Sequence, residues 1–288
     1  MASDVNDTVG RARECEKLRD MMVAADEEYA IGGAIAVNIV GNNGGLLLSS
    51  DRADPRHRLH RYINRVGRNL GAQSDRPNLE WTFGVLDTDD FNAYSTPGGY
   101  VFVSRGLLSA VQTEAELAGV LAHEIAHVTE RHALKLYSAI TANQCQTALA
   151  AEVGATEAAD ALGFKNALDS PVGFFDLNDV ANVDILGKLV NGLVDDLTTR
   201  GFAADDEYDS DARAAELMMN AGYDPREYMK FLSKIPAQGS THPANETRQA
   251  RLQAWEAEKL AQNDPFSLVP GSKRLRRIRI KTQLRPIK

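Results

Sequence analysis

Apolar and polar residues alternate with helical spacing over most of the chain. The segment 57–73 shows this clearly, because Leu59, Ile63, Val66 and Leu70 fall on one face of a helix. The same reasoning predicts helices over residues 11–40, about 113–140, 203–221 and 245–262.

A different pattern, with a period of two, appears between the second and third predicted helices. The segment EWTFGVL (80–86) reads as a strand, and NAYSTPGGYVFVS (92–104) reads as two short strands around a Pro-Gly-Gly turn. These strands predict a small antiparallel meander. The expected fold class is therefore α+β, a predominantly helical domain with a small antiparallel sheet.

Composition places the chain among globular proteins, since 43% of its 288 residues are hydrophobic and 25% are charged. The net charge of -8 argues against a nucleic-acid partner. The segment 273–288 nevertheless carries eight basic residues and no acidic one. It could bind an anionic surface, but its alternating RIRIK pattern favours a solvated or self-docking strand.

Export and membrane signals are absent from the sequence pattern. The first 28 residues contain no apolar core of a signal peptide, and the uncharged segment 29–50 is cut by GNNGG (41–45) into pieces too short to span a bilayer. We therefore expect no transmembrane segment in this chain. Cys15 and Cys145, 130 residues apart, leave open whether one disulfide forms.

The segment LAHEIAH (121–127) contains the candidate metal-binding and catalytic residues. Thr113 and Glu116 form a capping-box signature that opens a helix around it. At about 100° per residue, His123, Glu124 and His127 share one sector of that helix. Two imidazoles there could bind one zinc ion while the glutamate reaches a water molecule. The motif occurs by chance in about one such chain in a hundred, so alone it is only suggestive. Two histidines leave zinc under-coordinated, and a third protein ligand is therefore needed.

The third ligand is not a histidine further along the same helix. Glu130 and Ala133 stand where the HExxHxxGxxH pattern needs glycine and histidine, and His132 is expected on the core face as a hydrogen-bonded structural residue. In DDEYDSDARAAELMMNAGYDP (205–225), Glu207 and Asp211 point along a small, apolar stripe with no basic residue. We assign Glu207 as the third metal ligand and Asp211 as the acceptor from a ligating histidine.

Several motifs together resemble the zinc metallopeptidases of the HtpX, BepA and CAAX prenyl protease type. They are NAYSTPGGYVFVSRGLL (92–108), LAHEIAHVTERH (121–132), EYDSD (207–211) leading into NAGYDP (220–225), and STHPANETR (240–248). The resemblance spans about residues 27–255 and implies a gluzincin, a zincin-type fold in which Glu207 binds zinc and Asp211 supports it. Ser210 departs from the usual alanine, which leaves the ligands intact.

The resemblance also implies roles that the residue pattern alone does not give. His242 lies in the His-Pro motif, which by default is a turn; near zinc it would be either a latch or a donor to the oxyanion. Arg248 would anchor that loop or the site. The strand at Asn92, Ala93 and Tyr94 would pair with an extended substrate.

We therefore predict an endopeptidase with one Zn²⁺ per chain and polypeptide substrates. Glu124 would be the general base and His242 a second catalytic residue. The resemblance implies that the protein serves protein quality control in the periplasm or cell envelope of a bacterium. Otherwise the protein would be cytoplasmic. The alternatives are a zinc-bound, chaperone-like interaction protein closed by His242, and a structural metal site in a binding module.

The predicted domain organisation has three parts. Residues 1–26 would form a helical extension, 27–262 the metallopeptidase domain and 263–288 a basic tail. The segment 138–200 would be either connecting helices or a mobile cover, and the pattern favours the former. Oligomeric state stays open.

Overall fold

A computed structural model describes residues 2–154, 180–235 and 242–261. The helices are α1 Ala2–Lys17, α2 Ala25–Asn42, α3 Pro55–Gly71, α4 Arg105–Ala110, α5 Glu114–Thr129, α6 His132–Gly154, α7 Val180–Thr199, α8 Ala204–Asn220, α9 Pro225–Leu232 and α10 Asn245–Ala261. The strands are β1 Thr82–Leu86, β2 Ala93–Thr96 and β3 Tyr100–Ser104. The predicted basic tail and the segment around Pro171 lie outside the described residues.

The α+β class is confirmed, but the sheet is mixed rather than an antiparallel meander. The strand order is β1-β3-β2, with β2 antiparallel to β3 as predicted and β1 parallel to β3. The tight Pro97–Gly99 turn joins β2 to β3, and Gly98 within it has a φ of 77°, which glycine adopts without strain. β1 pairs with β3 and not with its neighbour in sequence. Within the described residues, β2 is therefore left at the edge of the sheet.

Helix α5 forms the centre of the fold. The Thr113 hydroxyl caps it by accepting from Glu116 N, and the Glu116 carboxylate accepts from Gln112 N, so the predicted cap is confirmed. Every residue from Glu114 to Val128 is buried, because the helix lies among α3, α8, α9 and the sheet. At Gly119, an added Cβ would come within 2.5 Å of Tyr228 Cβ, so glycine permits the close approach of α9.

The predicted helix over 113–140 is in fact two helices. Arg131 adopts a left-handed conformation with a φ of 58°, and α6 begins at the next residue, His132. A single left-handed residue ends one helix and redirects the chain. The angle assigned to His132 assumed a continuous helix and does not apply, although its side chain is buried and hydrogen-bonded as predicted.

The predicted helix over 11–40 is also interrupted. A short 3-10 turn, Leu18–Asp20, follows α1, and Met21 and Ala24 have extended backbone angles before α2. The two helices pack on different partners, α1 on α6 and α2 on α7, which the local pattern does not encode. The helices predicted over 57–73, 203–221 and 245–262 are confirmed to within two residues.

A disulfide settles the question that the two cysteines left open. Cys15 in α1 and Cys145 in α6 are bonded, with their Cα atoms 5.5 Å apart. The bridge fastens the N-terminal helix to α6. The described parts of the segment 138–200 are helical and belong to α6 and α7.

Two hydrophobic clusters hold the described residues together. The larger includes the buried faces of α3, the sheet, α5, α8 and α9, and the smaller joins α2, α6 and α7. In the part of the chain that the structure describes, no helix has both the length and the apolar character needed to cross a bilayer.

Candidate metal centre and active-site groove

His123 and His127 lie one turn apart on α5, and both side chains are buried. Their Nε2 atoms are 3.1 Å apart, with the ring planes at 83° to each other. Helical spacing therefore brings two imidazole nitrogens to one point, as the motif predicted.

Glu207 comes to the same point from the first turn of α8. Its Oε2 lies 3.3 Å from His123 Nε2, and its Oε1 lies 3.5 Å from His127 Nε2. Among the described residues, neither carboxylate oxygen has a hydrogen-bond partner, although both are buried. A buried carboxylate without partners is costly, and a bound cation would remove that cost.

His242 approaches from the segment before α10. Its Nε2 lies 3.5 Å from Glu207 Oε2, and its ring centre is 5.5 Å from that of His123. One ligand atom from each of His123, His127, Glu207 and His242 lies within 4.8 Å of the others. These three nitrogens and one oxygen form a donor set that suits zinc and related divalent metals.

A network of buried polar groups supports His123 on its far side. Asp211 Oδ1 lies 3.0 Å from His123 Nδ1. Arg248 donates to both oxygens of Asp211 at 2.6 and 2.8 Å, and Tyr228 donates to Oδ1 at 2.8 Å. Asp211 can therefore hold the proton of His123 on Nδ1 and leave Nε2 free for a metal.

Arg248 also corrects one step of the sequence argument. The small, apolar stripe of α8 carries no basic residue, but the cation that balances Asp211 comes from α10 instead. Arg248 is only 2% exposed. Asp211 thus has its own cation and hydrogen-bond donors, whereas the two oxygens of Glu207 have no hydrogen-bond donor among the described residues.

The far side of His127 has a different support, which the sequence did not reveal. His132 Nδ1 lies 2.9 Å from His127 Nδ1, and Ser210 Oγ lies 3.3 Å from the same atom. Phe202 stacks on the His127 ring at a centroid distance of 4.3 Å. His132 was expected to be hydrogen-bonded, but its contact with a candidate ligand depends on the helix break at Arg131.

Burial and neighbouring charges shift the pKa values of the three histidines in different directions. Burial disfavours a charged His123, but the carboxylates of Asp211 and Glu207 beside its ring outweigh this and raise its pKa to about 9. Burial lowers the pKa of His127 well below its usual range and that of His242 to about 4. A metal ion that binds His123 Nε2 must therefore displace a proton from that ring.

Glu124 differs from the other carboxylates of the site. It is 4% exposed, and burial raises its pKa despite the opposing effect of His123. A raised pKa makes a carboxylate a better proton acceptor at neutral pH. The side chain lines a groove with an empty volume of about 420 Å³, which includes open solvent.

The groove runs between α5, the segment leading into β2, and α9. Its walls include His123, Glu124, His242 and Arg248, together with Asn92, Ala93, Phe91, Leu107, Val120, Tyr228, Phe231 and Ile235. Of the predicted substrate residues, Asn92 and Ala93 line it. Tyr94 packs instead against the smaller hydrophobic cluster, because successive residues of a strand face opposite sides.

Comparison with known proteins agrees with this geometry. The profile of Peptidase family M48 matches residues 56–256. The chain belongs to this family. Its members are metallopeptidases, so the family that the four motifs resemble is confirmed.

The chain matches only part of the length of each relative. The chain is 28% identical over 207 residues to the mitochondrial metalloendopeptidase OMA1 of Schizosaccharomyces pombe, covering 68% of this chain and 53% of that protein. It is 27% identical over 202 residues to the beta-barrel assembly-enhancing protease of Escherichia coli, covering 67% and 38%. The chain therefore spans about half or less of the relatives that it matches.

Proposed function

We propose that the protein is a zinc-dependent endopeptidase. One observation carries the proposal: Nε2 of His123 and of His127 converge on a buried Glu207 carboxylate that lacks hydrogen-bond partners among the described residues. Three such ligands at one point can hold a divalent cation between them. Two histidines and one glutamate with one position left open form the ligand set of catalytic zinc.

The bound zinc would lower the pKa of a water molecule and polarise the scissile carbonyl. Glu124 would accept a proton from that water and pass a proton to the leaving amine. Its position next to His123 and its buried, proton-accepting carboxylate fit this role. Asp211, held by Arg248, would keep His123 in the tautomer that offers Nε2.

An extended polypeptide would bind along the free edge of β2. The position of β2 at the sheet edge supports this, because an edge strand presents unpaired backbone groups. Asn92 and Ala93 line the groove beside Glu124, so a substrate backbone paired there would pass the candidate metal centre.

His242 would act as a latch in the resting enzyme. Its neutral ring lies 3.5 Å from Glu207 Oε2, within the group of four donors, so it can take the position that water or substrate needs. A zinc-bound interaction protein with little proteolytic activity is the second candidate function, and the same position of His242 favours it.

The substrates would be proteins of an oxidising compartment. The disulfide between Cys15 and Cys145 supports such a location, since structural disulfides persist in secreted and periplasmic proteins. A role in quality control of the bacterial cell envelope fits the likeness to the beta-barrel assembly-enhancing protease.

Proteolysis assays with a Glu124→Gln variant test the proposal. Wild-type protein should degrade an unfolded substrate such as casein, and a chelator should stop this. Glu124→Gln should retain its zinc and lose hydrolysis by about two orders of magnitude or more. Retained hydrolysis would overturn the general-base assignment. Zinc binding without hydrolysis in both the wild type and a His242→Ala variant would favour the interaction protein.

A further inference from the structure

The second candidate ligand, His127, contacts another histidine instead of a carboxylate. Its Nδ1 lies 2.9 Å from His132 Nδ1, and both rings are buried. Two nitrogens at this distance form a hydrogen bond only if one carries a proton and the other a lone pair. The direction of this bond decides which nitrogen of His127 is free for a metal.

The other nitrogen of His132 indicates that direction. His132 Nε2 lies 3.5 Å from Asp206 Oδ1, and an ionised carboxylate can only accept a proton. In a neutral His132 ring, Asp206 therefore favours the proton on Nε2, which leaves a lone pair on Nδ1. A His127 that donates from Nδ1 to this lone pair keeps a lone pair on its own Nε2. Glu207 Oε1, 3.5 Å from that Nε2, by itself favours a proton there, but His123 Nε2 lies closer, at 3.1 Å, and can donate to the same atom.

Ser210 completes the contact without deciding its direction. Its hydroxyl lies 3.3 Å from His127 Nδ1 and 3.5 Å from His132 Nδ1, and a hydroxyl can donate or accept. The side chain is fully buried on the same face of α8 as Glu207. It therefore lies within reach of both Nδ1 atoms.

We propose that His132 and Asp206 are positioning residues for the metal centre, which set the tautomer of His127 through a chain of two imidazoles and one carboxylate. This inference rests on the proposed function, because it assumes that His127 Nε2 binds the metal. The two ligands would thus be oriented differently: His123 directly by buried Asp211, and His127 through His132 by the more exposed Asp206.

The contact between His127 and His132 depends on the break between α5 and α6. His132 is the first residue of α6, and it meets His127 because left-handed Arg131 redirects the backbone. A non-glycine residue with positive φ is uncommon and carries a cost that the surrounding structure must offset. The hydrogen bond to His127 is one interaction that this turn makes possible.

Four variants test the proposal. His132→Leu removes the acceptor, while His132→Asn retains an oxygen near the position of Nδ1. Asp206→Ala removes the terminal carboxylate. Asp205→Ala is the matched control, because Asp205 is an exposed acid in the same first turn of α8 and experiences the same helix dipole.

The first readout needs no metal. Long-range ¹H–¹⁵N spectra of the metal-free protein should show the proton of His127 on Nδ1 in the wild type and Asp205→Ala. In His132→Leu and Asp206→Ala, the population should shift towards Nε2–H. An unchanged His127 tautomer in both variants would overturn the proposal. A purely structural role of His132 would change the melting temperature but not this tautomer.

The second readout is zinc affinity, measured by competition with a chromophoric chelator. We expect His132→Leu to bind about 10–100-fold more weakly, Asp206→Ala to be affected in the same direction, and His132→Asn to recover most of the loss. Affinities within about twofold of the wild type in His132→Leu and Asp206→Ala would overturn this inference alone, provided that Glu207→Gln loses zinc. A wild type that binds no zinc would overturn the proposed function as well. Asp206→Ala keeps the test decisive if His132→Leu does not fold.

Discussion

Asp211 Oδ1 lies 3.0 Å from Nδ1 of His123, on the opposite side of the ring from the nitrogen that meets Glu207. This contact joins α8 to α5 at two points of one imidazole. A helix that supplies both a candidate ligand and its support fixes the metal geometry through rigid elements and not through loops.

Replacing Asp211 with asparagine should weaken the metal site and the fold together. The change leaves Arg248 buried without its charge partner, which should cost about 3–5 kcal/mol of unfolding free energy. Zinc affinity should fall by about 10–100-fold, because His123 loses its carboxylate support. Denaturant unfolding and chelator competition would measure these effects. Asp209→Asn, an exposed acid on the same helix, should change neither, and a wild-type affinity in Asp211→Asn would contradict the assignment.

Replacing His242 with alanine should increase the proteolytic activity of the enzyme. If His242 occupies the open position at rest, its loss should raise the turnover of casein several-fold while zinc remains bound by three ligands. Steady-state proteolysis and zinc analysis are the measurements. His57→Ala serves as a control, because that ring contacts the Ser49 carbonyl. A loss of turnover with zinc retained would show that His242 assists the reaction and is not a latch.

The sequence predicted the ligands more completely than their supports. His123, Glu124 and His127 share one helical period, and Glu207 and Asp211 share another, so local spacing was enough to group them. Arg248, Tyr228 and His132 reach the site through packing between helices or through a helix break, which no local pattern encodes.

The pairing of the strands also could not be predicted from local sequence patterns. Alternation predicted the strands and the turn, but it could not determine that β1 would pair with β3 in parallel. That pairing leaves β2 at the edge, where the proposed substrate binds. The cysteine pair was likewise visible in the sequence, but its bond follows from the packing of α1 on α6.

Removing the disulfide should destabilise the protein without altering the metal ligands. Cys15→Ser, Cys145→Ser and the double variant should each lose roughly 2–5 kcal/mol of unfolding free energy. All three remove the same cross-link between residues 130 positions apart and so raise the entropy of the unfolded chain. Thermal unfolding with and without a reductant would measure this. A reductant should lower the melting temperature of the wild type only. A single variant that matches the wild type would contradict the structural role of the bridge.

Glu28 should contribute stability that disappears in acid. Burial disfavours its charge, but hydrogen bonds from Arg76 and Gly98 N outweigh this and lower its pKa from the ordinary 4.5. Since the native pKa is the lower one, the contribution is fully present above about pH 4.5 and is lost as the pH falls through the native value.

Comparison with Glu28→Gln isolates this effect, because other acid-induced changes are common to both proteins. The variant should be about 1–3 kcal/mol less stable at pH 7, and the difference should shrink below pH 4.5. Asp26→Asn, an exposed acid in the same turn of α2, is the control for loss of charge. A difference that does not change with pH would contradict the ion pair as its source.

The central claim is that Glu207 completes a three-residue metal site with His123 and His127. Isothermal titration of zinc into the metal-free wild type and Glu207→Gln tests it most directly, with Glu216→Gln as a control on the same helix. The account predicts one zinc per chain for the wild type and control, and at least a hundredfold weaker binding by folded Glu207→Gln. Equal zinc binding by wild type and Glu207→Gln, or no binding by the wild type, would contradict it.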